Sequence, residues 1–88
     1  MPERTVVIAS KVGLHSRPAA MFTELAREQP AKVTIGKPGQ DPVDAGSILH
    51  IMTLGAEGGQ EVVLRAEGDG AEASLDALEA FLKIDHDA

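Results

Sequence analysis

The chain contains no cysteine, no tryptophan and no tyrosine, and only two phenylalanines. Without cysteine there is neither a disulfide framework nor thiolate chemistry. With so few aromatics, Val, Ile, Leu, Met and Ala must fill the core. No apolar run approaches membrane-spanning length, and the N-terminus has no signal-peptide pattern, so no membrane insertion is expected. Positive charge is scarce as well. Eight Lys and Arg against fourteen Asp and Glu leave a formal charge of −6, spread thinly, which argues against a nucleic-acid binder. Eighty-eight residues make one small domain, near the lower end of what buries a self-sufficient core. The expectation is a single domain over residues 1–88, soluble, cytoplasmic and monomeric.

What is present sorts into seven elements. Arg4–Ala9 is β-branched and apolar enough for a strand with a buried face. Ser10–Leu14 reads as a loop turned at Gly13. A helix follows over Ser16–Glu28: Pro18 suits its first turn, Phe22, Leu25 and Ala26 share a face, and Pro30 stops it. Residues 31–37 alternate as a second strand, and a short third one is expected at Val43–Ala45. Ser47 then caps a short helix over Ile48–Leu54, ended by Gly55. Glu57-Gly58-Gly59 turns the chain into a further strand, Gln60–Ala66. Ala71–Ile84 is an amphipathic helix with Leu75, Leu78, Phe81 and Leu82 on one face. The order β-α-β-β-α-β-α implies an α+β fold, an open-faced sandwich with three helices on one side of a four-stranded antiparallel sheet.

One stretch stands apart: Val12-Gly13-Leu14-His15-Ser16-Arg17-Pro18-Ala19-Ala20. If a helix starts at Ser16, His15 lies at its N-cap, where first-turn N–H groups lack intrahelical acceptors and carry the positive end of the dipole. Helix starts of this kind hold phosphate, and the Arg17 guanidinium adds two directed donors. The same positive field disfavours imidazolium and keeps His15 neutral, the form that is nucleophilic. Attack on a phosphoryl donor would give a labile phosphohistidine, suited to passing the group on. A capping or solvated histidine is the plain alternative.

The segment "GLHSRPAA" resembles the phosphorylation-site motif of HPr, the histidine-containing phosphocarrier family of the bacterial phosphoenolpyruvate-dependent sugar phosphotransferase system. Gly13, Leu14, His15, Ser16, Arg17, Pro18 and Ala19 all match that motif. Val43–Leu64, "VDAGSILHIMTLGAEGGQEVVL", is similar to the family's second characteristic region: a serine opening a short helix (Ser47), an exposed Met/Leu-rich surface (Ile48, Leu49, Met52), and Gly55 before the last strand. The resemblance covers nearly the whole chain. It implies that His15 accepts a phosphoryl group, on Nδ1, from the system's first enzyme and passes it to the A domain of a sugar permease complex. Arg17 and the backbone N–H groups of Ser16 and Arg17 would hold the group. No cofactor is implied, and the chain itself is expected to be no enzyme.

The short helix is over-supplied with apolar residues, so Ile48, Leu49 and Met52 are expected to form an exposed docking patch extended by Ala20 and Met21. Ser47, close by on that face, reads as an N-cap. The resemblance adds possible control by a serine kinase and phosphatase, and contact with transcriptional regulators, although Gly46 stands where a basic residue often precedes the serine. His50 and His86 read as solvated, and no histidine pair has metal-ligand spacing, so no metal site is expected. Glu67, Asp69, Glu72, Asp76 and Glu79 read as a solvated face. The competing functions are a non-covalent anion-binding module, or a paralogue serving a nitrogen-related or dihydroxyacetone phosphoryl chain. A phosphatase or mutase would need an acid–base group that the sequence does not supply.

Overall fold

The computed structural model describes residues 2–11, 13–14 and 16–85. Its elements are β1 (Glu3–Val7), α1 (Ser16–Glu28), β2 (Val33–Gly36), β3 (Val43–Asp44), α2 (Ile48–Leu54), β4 (Glu61–Ala66) and α3 (Ala71–Leu82). The strands form one antiparallel sheet in the order β1-β4-β2-β3. Strand β4 lies between β1 and β2 and runs antiparallel to both, with Val6 opposite Val62 and Ile35 opposite Leu64. Among the described residues no helix is long and apolar enough to cross a membrane.

Alternation along the strands decides which face is covered. Val6, Val33, Ile35, Val62, Leu64 and Ala66 are buried and point to one side, where α1 and α3 supply Ala19, Phe22, Leu75, Leu78 and Leu82. Their neighbours Val7, Glu61 and Lys32 are exposed on or beside the other face. The two phenylalanines meet across the α1–α3 contact, Phe22 and Phe81 with ring centroids 5.7 Å apart and tilted by 55°.

Helix ends fall where local chemistry places them. Helix α1 ends at Glu28, two residues before Pro30. Helix α2 has seven residues, far too few to persist alone. It is held by fully buried Ile51, whose burial contributes about 2–3 kcal/mol. The Ser47 hydroxyl accepts from the His50 amide at 3.3 Å, a cap worth about 1 kcal/mol. Gly55 closes the helix in the left-handed region at φ 64°.

Strand ends are shorter than expected. The Arg4–Ala9 strand stops at Val7 because the Ala9 amide leaves the sheet for the Leu82 carbonyl, at 2.9 Å. Residues 31–37 narrow to Val33–Gly36, since the Ala31 amide donates to the Ser74 hydroxyl instead of a neighbouring strand. Ala45 and Gln60 drop out of their strands, and α3 ends at Leu82, where the Lys83 and Ile84 amides fold back on Glu79 and Phe81.

The acidic face of α3 is a second correction. Glu72, Asp76 and Glu79 are not merely solvated. They converge on Arg4 of β1 at 2.6, 2.7 and 2.9 Å. Arg4 lies opposite Leu64 and therefore on the helix-bearing face of the sheet. The three carboxylates stand on successive turns of α3 and satisfy its guanidinium there. They hold Arg4 protonated beyond the ordinary arginine range, Asp76 contributing most. The bonds from Arg4, and then Lys83, hold the Glu79 carboxyl below its ordinary value.

Candidate functional site

The site is built where a loop enters α1. Gly13 adopts φ 75°, and a Cβ there would overlap the Ala56 carbonyl and the Glu57 backbone, so only glycine fits without rearrangement. The turn is closed by the Gly13 amide on the Ser10 carbonyl at 3.0 Å. Leu14 is then driven into the core, and its amide donates to the Ala56 carbonyl at 2.9 Å. Beyond His15, Ser16 opens α1, Arg17 is exposed, and Pro18 and Ala19 are buried. His15 and Val12 lie outside the described residues. Leu14 and Pro18, on either side of His15 in the chain, are both anchored by burial. Burying a leucine contributes about 2–3 kcal/mol.

The bed for this loop is the segment after α2. The Ile8 amide donates to the Gln60 carbonyl at 3.0 Å, and the Gly59 amide to the Ile8 carbonyl at 2.9 Å. Gly58 packs so closely on the Ser10 and Lys11 carbonyls that a Cβ would collide with both. Sequence reasoning read Gly58–Gly59 only as a turn. The signal was the glycine itself, but nothing local distinguishes a glycine needed for turning from one needed for contact.

Helix α1 starts with N–H groups that have no acceptor inside the helix, and Pro18 brings none. Arg17 projects from this turn, with Nη1 4.0 Å from the Met21 sulfur one turn on. Met21 is 39% exposed, and Ala20 is exposed beside it. Helix α1 packs against α2, where Ile48, Leu49 and Met52 are 40%, 71% and 45% exposed while Ile51 is wholly buried. A two-turn helix buries one face, and the excess apolar side chains stay in solvent as expected.

Ser47 caps the start of α2, directly before the exposed Ile48 and Leu49. Arg27 Nε donates to the carbonyl of Gly46 at 2.7 Å, which ties the start of α2 to the last turn of α1. The other end of α2 leads through Ala56 to Leu14. The two helices therefore run in opposite senses, and Ser47 belongs with Arg27, about 15 Å along α1 from Arg17 at 1.5 Å per residue. His50 is exposed on α2, and His86 lies outside the described residues.

Residues 2–83 match the family model "PTS HPr component phosphorylation site". The "Phosphocarrier protein HPr" of Streptomyces coelicolor is 45% identical over 78 residues, covering 89% of this chain and 84% of that one. The protein of the same name from Haloferax volcanii is 47% identical over 81 residues, covering 91% of each. Among solved structures, HPr-C-His from Thermoanaerobacter tengcongensis superposes with a TM-score of 0.87 at 40% identity, over 94% of this chain and 92% of that one.

Proposed function

The chain belongs to the HPr family of phosphotransferase-system phosphoryl carriers, and we propose that His15 bears the phosphoryl group, received from a phosphoenolpyruvate-charged first enzyme and handed to the A domain of a sugar permease complex. The observation that carries this reading is the anchoring of Leu14 and Pro18 on either side of His15, at a helix start that also carries Arg17. In the forward step a neutral imidazole nitrogen attacks phosphorus, and the bond from phosphorus to the donor's nitrogen breaks. Positive charge developing on the ring is offset by the charge of the arriving phosphoryl oxygens. Those oxygens are met by Arg17 and by the first-turn N–H groups of Ser16 and Arg17. The reverse polarity applies when the group leaves for the permease domain.

Acid–base assistance comes from the partners, and the chain acts as carrier rather than enzyme, as a cytoplasmic monomer. Both partners reach the same histidine, so both dock on the exposed side chains of Met21, Ile48, Leu49 and Met52, beside Ala20. Phosphorylation of Ser47 would add charge next to Ile48 and Leu49, weakening docking at the α2 end of that surface without touching the His15 loop.

The test is incubation with phosphoenolpyruvate and a first enzyme, followed by intact mass measurement. One acid-labile, base-stable phosphoryl group is expected on the parent and none on His15→Ala. Equal labelling of the variant would overturn the assignment. Saturable anion binding with no gain in mass would replace it by the non-covalent module.

A further inference from the structure

Remote from the His15 loop, the last turn of α1, the start of β2 and the β3–α2 connection enclose an open cleft of about 350 Å³. Its floor includes Ala26 and Val33, both buried and apolar. Its rim carries Arg27, Lys32 and Asp44. In a chain of formal charge −6 this rim holds two cations against one carboxylate.

Asp44 does not neutralise both cations. Asp44 Oδ1 is occupied by the Gly46 amide at 2.8 Å, and its other oxygen lies 4.0 Å from Lys32 Nζ, a loose contact. Arg27 is oriented by its Nε, which donates to the Gly46 carbonyl at 2.7 Å. That bond uses one edge of the guanidinium and leaves the two terminal nitrogens as a fork. Among the described residues no carboxylate pairs with it. Helix C-termini ordinarily repel anions. Here Gln29 covers two of the terminal carbonyls, its side-chain amide on Leu25 at 3.0 Å and its backbone N–H on Ala26 at 3.3 Å.

We propose that this cleft binds a small phosphate monoester, its phosphate between Arg27 and Lys32 and its short carbon chain on the Ala26–Val33 floor. Arg27 offers the paired donors that a phosphate accepts, and Lys32 adds a flexible point charge. Occupancy links α1, the start of β2 and Gly46, the residue that leads into Ser47 and α2. A phosphorylated metabolite is thereby sensed at the root of the docking helix, at a site separate from His15.

The experiment is an amide chemical-shift titration of the full chain with glycerol 3-phosphate, with inorganic phosphate and glycerol run alongside. Saturable shifts are expected at the amides of Arg27, Lys32 and Gly46, with the ester binding more tightly than inorganic phosphate and glycerol not binding. Lys32→Met, at a largely exposed side chain, should weaken the ester about fivefold. Arg27→Lys should weaken it further by losing the fork. Shifts confined to Ser16 and Arg17, non-saturable shifts, or affinities unchanged in both variants would overturn the site. Equal affinity for inorganic phosphate would overturn the monoester.

Discussion

The amide of Leu14 donates to the carbonyl of Ala56 at 2.9 Å, which joins the residue before His15 to the residue after the left-handed cap of α2. The His15 loop and α2 are thus one mechanical unit, although 42 positions separate the two residues (56 minus 14). Gly58 extends that contact, lying against the Ser10 and Lys11 carbonyls. Gly58→Ala forces a methyl group onto backbone oxygens that cannot rotate away. A loss of about 1–3 kcal/mol is expected, with slower phosphoryl transfer at His15. Thermal melting and transfer rate should fall together; a parent-like melting temperature would show that the loops have room to part.

Arg17 and Leu49 test the proposed chemistry and the proposed docking separately. Both are exposed, so Arg17→Ala and Leu49→Glu should each change stability by no more than about 0.5 kcal/mol. Steady-state kinetics with the first enzyme should divide them. On the proposed role, Arg17→Ala should lower kcat, because its guanidinium would act on the phosphoryl group in flight. Leu49→Glu raises KM about tenfold, because a charge replaces an apolar contact 71% exposed in the free protein. Marked unfolding in Arg17→Ala would make it a structural arginine instead.

Helix limits were legible because their determinants are local. Pro18 and Pro30 delimit Ser16–Glu28, and Ser47 and Gly55 delimit Ile48–Leu54, each acting within a turn of its own position. Strand limits were not, because pairing partners decide them. Ala9 looks like strand, yet its amide is taken by Leu82 of α3. The Arg4 cluster was invisible for the same reason: a carboxylate stripe on a helix looks solvated until a cation from the other end of the chain is laid beside it. Of the site, the sequence named Arg17, Pro18 and the exposed side chains of α2 by type and spacing. It did not reveal the bed formed by Ala56 and Gly58, nor that the Ser47 end of α2 is tied to Arg27.

Ser74 offers a test of packing between α3 and the α1–β2 connection. Its hydroxyl is fully buried, accepts from the Ala31 amide at 3.1 Å and donates to the Gly70 carbonyl at 2.8 Å. Ser74→Ala removes the acceptor and strands a buried N–H, for an expected loss of about 1–3 kcal/mol. Denaturant unfolding with an unchanged slope would report that loss directly.

Arg4 and Glu79 predict how stability responds to acid. Bonding to Arg4, with a smaller contribution from Lys83, holds the folded Glu79 carboxyl below its ordinary value of 4.5. A carboxyl depressed by folding stabilises the native state fully above its unfolded value, and this contribution disappears as pH falls through the folded one. Melting temperature should therefore be insensitive to this group near neutrality and fall once the pH drops below 4.5. Arg4→Met removes the partner, so the variant should start lower at neutral pH and lose less on acidification. The gap between parent and variant then narrows as Glu79 is protonated. Thermal melts of both proteins from neutral to acidic pH measure that gap. A gap that stays constant, or widens in acid, would mean that Arg4 stabilises the fold through the packing of its methylenes against α3 rather than through its charge.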